Sequence, residues 1–162
     1  MKEYDVVVIG SGSGAIIASR ALASNQKVAL IDKGPLGGTC LNVGCIPSKM
    51  LIYPADVIAE IQGAEKLGIT AEIKAIDFNS IMDRMRKTVT EGQNEMREGI
   101  NQARNLDFYK DEGYFTDNYT LNVKGKEIRG KKIFIVSGAR PLIPPIKGID
   151  TISYLHRFLL LS

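Results

Sequence analysis

The feature that most constrains the fold lies at the start of the chain, where an apolar run leads straight into a glycine-rich turn. Residues 6–9 read Val-Val-Val-Ile, and residues 10–15 read Gly-Ser-Gly-Ser-Gly-Ala. A continuous apolar run of this length is typical of a parallel strand covered on both faces. A helical pattern follows at residues 16–24, and a second apolar run at residues 28–31. This strand–turn–helix–strand unit predicts an α/β fold with a parallel sheet.

The turn itself fits the dinucleotide-binding fingerprint in its Gly10-x-Gly12-x-x-Ala15 form. The first glycine allows a tight turn, the second lets the backbone approach a pyrophosphate, and the small third residue allows close helix–strand packing. Asp32 lies 22 residues after Gly10, where a carboxylate can accept hydrogen bonds from ribose hydroxyls. The alternative is a purely structural turn. The motif predicts a dinucleotide site but does not separate FAD from NAD.

Two further helices are predicted in the middle of the chain. One helical pattern runs over about residues 49–62, and a longer one runs over residues 79–104. Apolar residues of the long helix recur at spacings of three, four or seven, with a gap at Gly92. Either Asn79 or Ser80 is a candidate cap for its start. The methionines of this helix are interpreted as core packing.

Short strands are predicted from Asp107 onward. Residues 133–136 form a further apolar run, which predicts another buried strand. Basic residues between Lys124 and Lys132 alternate with apolar ones, so we interpret them as a solvated strand face rather than a nucleic-acid site. The strands are separated by three turn signals, Asp117-Asn118, Lys124-Gly125 and Arg129-Gly130. The pattern is that of a small antiparallel β-meander.

Composition places the chain among ordinary globular proteins. The 162 residues suggest one domain, with 44% apolar and 24% charged residues and a net charge of only +3. This balance does not point to nucleic acid or a membrane as a partner. We detect no signal peptide and no membrane-spanning run, which predicts a cytoplasmic protein. In a reducing compartment, two cysteines favour catalysis or metal binding over a structural disulfide.

Cys40 and Cys45 are spaced so that a disulfide between them needs an irregular backbone. In a regular helix, residues five apart have Cα atoms roughly 8–9 Å from each other, and a disulfide needs about 7 Å or less. Gly44 permits such an irregularity. A disulfide that closes so small a loop adds little to the stability of the fold, whereas a strained disulfide is easily reduced and suits catalysis. A zinc site and two unrelated free thiols are the alternatives, but no third cysteine is present and His156 stands alone.

The segment at residues 37–49, Gly-Gly-Thr-Cys-Leu-Asn-Val-Gly-Cys-Ile-Pro-Ser-Lys, resembles the active-site signature of the class I pyridine nucleotide–disulfide oxidoreductases. Its Cys-Ile-Pro-Ser-Lys ending is most similar to the dihydrolipoamide dehydrogenase branch, and mercuric reductases are the close alternative. The resemblance continues through Gly113 and residues 135–141, with Ser137 at the family's threonine position. It covers about residues 3–150, and the tail at 151–162 does not match.

The resemblance implies a three-layer Rossmann-like FAD-binding domain with a parallel sheet, a long helix and a β-meander, incomplete in this chain. It implies that Cys45 lies against the flavin and that Cys40 exchanges with the dithiol substrate. Asp32 would bind the adenosine ribose, although the family more often has glutamate there. The remaining FAD-binding residues implied by the resemblance are Gly10, Gly12, Gly14, Ala15, Lys33, Gly38, Thr39, Lys49, Gly113, Ser137 and Gly138; no metal ligand is expected.

The activity implied by the resemblance is the passage of electrons from dihydrolipoamide through Cys40 and Cys45 to FAD, and then to NAD⁺. The implied partners are the lipoyl domains of 2-oxo acid dehydrogenase or glycine cleavage complexes and a second copy in a homodimer; neither nucleic acid nor a membrane is expected. The family's NAD domain and interface domain have no counterpart in residues 1–162. We therefore expect this chain alone to be inactive. A stand-alone FAD-binding module without catalysis is the alternative from a different class.

Overall fold

The computed structural model describes residues 1–154, so His156 and the rest of the tail lie outside the described residues. It is an α/β structure, as the sequence predicts. Short 3₁₀ turns lie at Ala64–Leu67 and Ile149–Thr151. The main elements in chain order are β1 Lys2–Ile9, α1 Gly14–Ala23, β2 Val28–Ile31, α2 Gly38–Val43, α3 Cys45–Gly63, α4 Phe78–Gln102, β3 Leu106–Tyr109, β4 Gly113–Asp117, β5 Thr120–Val123 and β6 Lys126–Ile135.

The strands form one six-stranded sheet in the order β3-β2-β1-β6-β5-β4. The four neighbouring strands β3, β2, β1 and β6 run parallel to one another. Beyond β6, the strands β5 and β4 are added in antiparallel pairing. Ile9 at the end of β1 is level with Ile31 of β2 and Ile135 of β6. The three central strands therefore finish together. Ligands of open α/β sheets bind at this carboxyl edge, and the glycine turn emerges there.

Two apolar clusters on opposite faces of the parallel strands produce three layers. Alternate residues of β1 supply the two faces, as the period of a strand requires. Val6 and Val8 face the helices and pack with Ala18 of α1. Val7 faces the other way, in one cluster with Leu121. The predicted three layers of helices, parallel sheet and β-meander are confirmed.

The predictions for the last strand were wrong in two respects. Arg129-Gly130 is not a turn, because it lies inside β6, where Gly130 pairs with Tyr4 of β1. A Cβ on Gly130 would lie 2.6 Å from a Val7 methyl carbon, so the glycine serves close packing. The strand end predicted to be buried is also open: the side chain of Ile135 is 65% exposed. Among residues 1–154, no strand pairs with the outer edge of β6 beyond Arg129.

The helices begin earlier than their sequence patterns indicate. Neither Asn79 nor Ser80 caps α4; the carboxylate of Asp77 does, accepting the Ser80 N–H at 3.0 Å. Helix α3 starts at Cys45 rather than near Lys49. Met85 is 2% exposed, in agreement with core packing. No helix in the described part of the chain combines the length and apolar composition needed to cross a membrane.

Candidate functional site

Gly10 fixes the sharp turn at the end of β1. Its N–H donates to the Ile31 carbonyl oxygen at 2.8 Å, so the turn is tied to β2. The backbone there has a φ of +106°, which favours glycine. A Cβ on Gly10 would lie 2.3 Å from the Val136 carbonyl oxygen. The backbone just after β6 therefore leaves room only for a glycine at position 10.

The start of α1 presents backbone N–H groups without protein partners. Ser13 occupies the N-cap position but makes no side-chain cap. The N–H groups of Gly12, Ser13 and Gly14 donate to no other group in the part of the chain that the structure describes. Gly14 also brings the helix close to the sheet, since a Cβ there would lie 2.6 Å from a Val8 methyl carbon. Unpaired N–H groups and the helix dipole form a cradle that fits a pyrophosphate.

Asp32 holds the turn from the end of β2. One carboxylate oxygen accepts the Ser11 N–H at 2.6 Å, and the other accepts the Gly34 N–H at 2.8 Å. A carboxylate has about four lone-pair sites, so two remain for the hydroxyls of a ribose. The Ser11 hydroxyl, fully buried, accepts the Gly37 N–H at 3.1 Å. Ser11 was not predicted, although its place inside the fingerprint was a signal.

Lys33 and Gly113 lie at the same end of the site as Asp32. The Lys33 ammonium forms an exposed ion pair with Glu112. Gly113 packs over Ile31, whose terminal carbon would be 3.6 Å from a Cβ on that glycine. The structure therefore places Lys33 and Gly113 beside Asp32.

The two cysteines lie on separate helices with a single break between them. Cys40 is on α2, and Cys45 is the first residue of α3. The break is at Gly44, whose φ of −138° and ψ of −118° are not helical. A Cβ on Gly44 would lie 2.7 Å from the Thr39 carbonyl oxygen. The irregularity that a disulfide requires is thus present, and it depends on this glycine.

Both cysteines are exposed free thiols in the structure. The hydrogen bond between the two sulfurs, followed by desolvation and repulsion from Cys45, raises the pKa of the Cys40 thiol. The Lys49 ammonium, one helical turn after Cys45, acts in the opposite direction on the pKa of Cys40. Cys40 is therefore a weaker acid than an isolated cysteine thiol. Cys45 is the first residue of α3, so its sulfur lies at a helix N-terminus.

The cysteine segment and the glycine turn are in direct contact. A Cβ on Gly38 would lie 2.7 Å from the Gly12 Cα, so the two backbones pack against each other. Ser137 follows β6 and lies beside Gly10, where a Cβ would be 3.2 Å from the Ser137 Cα. Gly138 next to it has a φ of +77° and open space around it. The carboxyl edge of the sheet therefore carries both parts of the site.

Asn42 organises the cysteine segment, and sequence reasoning assigned it no role. Its side-chain amide donates to the carbonyl oxygens of Leu36 at 2.9 Å and Gly38 at 2.8 Å. Its own amide oxygen accepts from Gln93 of α4 at 2.5 Å.

Within residues 1–154, no group of three or more histidine, cysteine or acidic side chains is arranged to hold a metal ion.

Comparison with known families identifies the class of protein. The model of the pyridine nucleotide-disulphide oxidoreductase family matches residues 4–159, which is nearly the whole chain. The chain belongs to this family. The match includes most of the 151–162 tail.

Similar proteins differ in the substrates that their names record. A mercuric reductase of Lysinibacillus sphaericus is 33% identical over 98% of this chain and 29% of its own length. A dihydrolipoyl dehydrogenase of Staphylococcus aureus is 37% identical over 90% of this chain and 32% of its own length. The structure of the HOCl-induced flavoprotein disulfide reductase RclA from Escherichia coli is 32% identical, with a TM-score of 0.73 over 91% of this chain and 31% of that one.

The family and its flavoprotein relatives imply FAD as the cofactor of this chain. The partnerless N–H groups at the start of α1 and the open lone pairs of Asp32 fit the pyrophosphate and ribose of that cofactor. The chain spans about a third of the length of the relatives it matches.

Proposed function

We propose that this chain is the FAD-binding and cysteine-bearing part of a dithiol/disulfide oxidoreductase of the dihydrolipoamide dehydrogenase type. The observation that carries the proposal is the arrangement of the two thiols. Cys40 and Cys45 are neighbours on separate helices, both are exposed, and their segment packs directly on the nucleotide-binding turn. A plain nucleotide-binding module has no need of such a pair.

The proposed chemistry is thiol–disulfide exchange at Cys40. With the pair oxidised, a thiolate of the substrate attacks the Cys40 sulfur, forms a mixed disulfide and releases Cys45 as a thiolate. The second substrate thiol then displaces Cys40, which takes up a proton, and the substrate leaves as a disulfide. Two electrons have moved from the substrate to the cysteine pair. The raised pKa of Cys40 agrees with its role as the protonated partner.

The residues of the turn would hold FAD next to this pair. Gly10, Gly12, Gly14 and Ala15 form the proposed pyrophosphate site, with Asp32 and Lys33 at the ribose. When bound, FAD would accept the two electrons from the pair and pass them to NAD⁺. The residues that we propose to line the rest of the FAD path are Gly38, Thr39, Lys49, Gly113, Ser137 and Gly138.

Reduction of a soft metal ion is a second candidate, favoured by one observation. The similarity to the mercuric reductase of L. sphaericus covers 98% of this chain, whereas the similarity to the dihydrolipoyl dehydrogenase covers 90% of it. Two adjacent thiolates are soft ligands that suit such an ion. The site geometry is the same for both candidates.

A substrate comparison in the full-length protein that contains this chain separates the candidates. We expect dihydrolipoamide to support NAD⁺ reduction, with loss of activity in both Cys40→Ser and Cys45→Ser. Mercuric ion as the efficient substrate would favour the second candidate. If neither substrate is turned over while FAD is bound, the chain belongs to a binding module. Activity retained by both serine variants would refute the proposal.

The partners and location follow from the proposed activity. We propose lipoyl domains as the carriers of the dithiol and a homodimer as the assembled form, as in the dihydrolipoamide dehydrogenase branch that the sequence resembles. A cytoplasmic location stays a prediction, and it suits a cysteine pair that must cycle between thiol and disulfide.

A further inference from the structure

The side chain of Asn42 makes several of the hydrogen bonds that hold the helix carrying Cys40. Helix α2 is only six residues long and contains no buried residue, so its own hydrogen bonds and packing hold it weakly. The Asn42 amide group ties it to the carbonyl oxygens of Leu36 and Gly38 at its amino end. These bonds fix the shape of the segment but do not connect it to the rest of the molecule.

Besides the contact of Gly38 with Gly12, a second connection to the rest of the molecule comes from α4. The Gln93 side-chain amide donates to the Asn42 amide oxygen at 2.5 Å, across 51 positions of sequence. One residue earlier, Gly92 leaves room for Leu41: a Cβ there would lie 2.8 Å from a Leu41 methyl carbon. The position where the apolar pattern of α4 is interrupted, Gly92, therefore accommodates the side chain of Leu41 from α2.

The same helix also contacts the Cys45 helix. The Arg84 guanidinium of α4 donates to the Met50 carbonyl oxygen of α3 at 3.4 Å. Met85, 2% exposed, lies next to it and anchors α4. Helix α4 therefore supports α2 and α3 together, and with them the two sulfurs.

We propose that Gln93 is a positioning residue that sets the redox equilibrium of the Cys40–Cys45 pair. This inference rests on the proposed function, since it assumes that the pair cycles between thiols and disulfide. Forming the disulfide requires α2 to lie in one place relative to α3. When Gln93 holds α2 there in the dithiol state, the entropy of ordering has already been lost before the bond forms. Without Gln93, α2 becomes ordered only when the disulfide forms, so the equilibrium constant for disulfide formation is smaller.

The test is a redox titration of the 162-residue chain in mixtures of reduced and oxidised dithiothreitol, with the Cys40–Cys45 disulfide counted by mass spectrometry after alkylation. In this reaction the two thiols lose two electrons and two protons to oxidised dithiothreitol. The Gln93→Leu variant keeps the side-chain size but removes the donor. We expect its equilibrium constant for disulfide formation to fall about fivefold, the scale of one net hydrogen bond.

A double-mutant cycle distinguishes positioning from a general loss of stability. Because Gln93 acts through Asn42, Gln93→Leu added to Asn42→Ala should leave the equilibrium constant of Asn42→Ala unchanged. The matched control is Gln102→Leu at the exposed end of α4, which should titrate as the wild type does. Urea unfolding of each variant verifies that the titrated protein is folded.

The outcomes separate this inference from the function on which it rests. An equal or larger constant in Gln93→Leu, with a normal titration of the wild type, overturns the role of Gln93 alone. An equally lowered constant in Gln102→Leu overturns it too. A wild-type chain that forms no intramolecular disulfide at any dithiothreitol ratio overturns both the inference and the proposed function.

Discussion

The glycine turn and the cysteine segment touch each other, yet the structure holds them by different means. The turn is locked into the sheet: Gly10 is pressed against the Val136 backbone, and Ser11 is fully buried. The cysteine segment rests on the surface, with both sulfurs exposed and α2 fastened by the hydrogen bonds of Asn42. The nucleotide-binding turn is therefore held rigidly by its backbone packing, whereas the position of the reactive cysteine helix can be changed by single side chains.

The largest effect is expected from a methyl group in the locked part. Gly10→Ala places a Cβ 2.3 Å from the Val136 carbonyl oxygen at a φ of +106°. Overpacking and backbone strain together should lower the free energy of unfolding by about 3 kcal/mol or more. Urea denaturation measures this. Gly63→Ala is the control, because nothing lies within 4 Å of that position, and a loss below about 1 kcal/mol in Gly10→Ala would contradict the rigid turn.

Removing the charge at the end of β2 should affect binding more than folding. Asp32→Asn removes the negative charge and replaces one acceptor oxygen by an amide nitrogen. The Ser11 N–H, the Gly34 N–H and the ribose then all lose a charged acceptor, and one of them loses its acceptor altogether. We expect FAD affinity to fall about tenfold, the scale of a hydrogen bond to a charged group. Flavin fluorescence during titration measures it. The exposed Asp56→Asn is the control, and unchanged affinity in Asp32→Asn would place the ribose elsewhere.

In the adjustable part, Cys45 should control the pH dependence of its neighbour. The hydrogen bond to Cys45 is the largest cause of the raised pKa of Cys40. Cys45→Ala removes both that bond and the repulsion, so the pKa of Cys40 falls and its reactive thiolate forms at lower pH. The rate of alkylation by iodoacetamide as a function of pH reports this shift. A profile that stays in place or moves to higher pH would contradict the pairing of the sulfurs.

The smallest effect is expected at Lys49. Its ammonium is the weakest of the influences on Cys40, and it lowers the pKa of that thiol. Lys49→Met should therefore raise the pKa and move the alkylation profile to higher pH, by less than Cys45→Ala moves it down. Repeating the measurement in high salt gives an internal check, because salt screens the wild-type interaction. A downward shift in Lys49→Met would be the opposite of this expectation.

Local sequence rules predicted the part of the molecule that local chemistry determines. The strand, turn, helix and second strand of residues 2–31 follow from apolar runs and a glycine fingerprint, and the long α4 follows from its helical period. The spacing of Asp32 from Gly10 agrees with its contact with the glycine turn, where it accepts the Ser11 N–H; its role at a ribose stays a prediction. These features depend on neighbours within about twenty residues, so no tertiary information was needed.

The errors and omissions concern contacts between distant segments. Gly130 was taken for a turn because the residues that it contacts, Tyr4 and Val7 of β1, lie far away in sequence. The hydrogen bond of Gln93 to Asn42 left only an indirect sign, the gap at Gly92. The open edge at Ile135 was also invisible, since an apolar run alone does not reveal what covers it. Packing across the fold, which sequence patterns do not encode locally, decided each of these.

The most direct test of the account is an absorbance scan of the FAD-loaded protein during stepwise anaerobic reduction by two electrons. If the cysteine pair lies beside the flavin, a long-wavelength charge-transfer band should develop in the wild type and be missing in Cys45→Ala. A reduced spectrum without that band, or an equal band in Cys45→Ala, would contradict the claim that the sulfurs and the nucleotide-binding turn form one site.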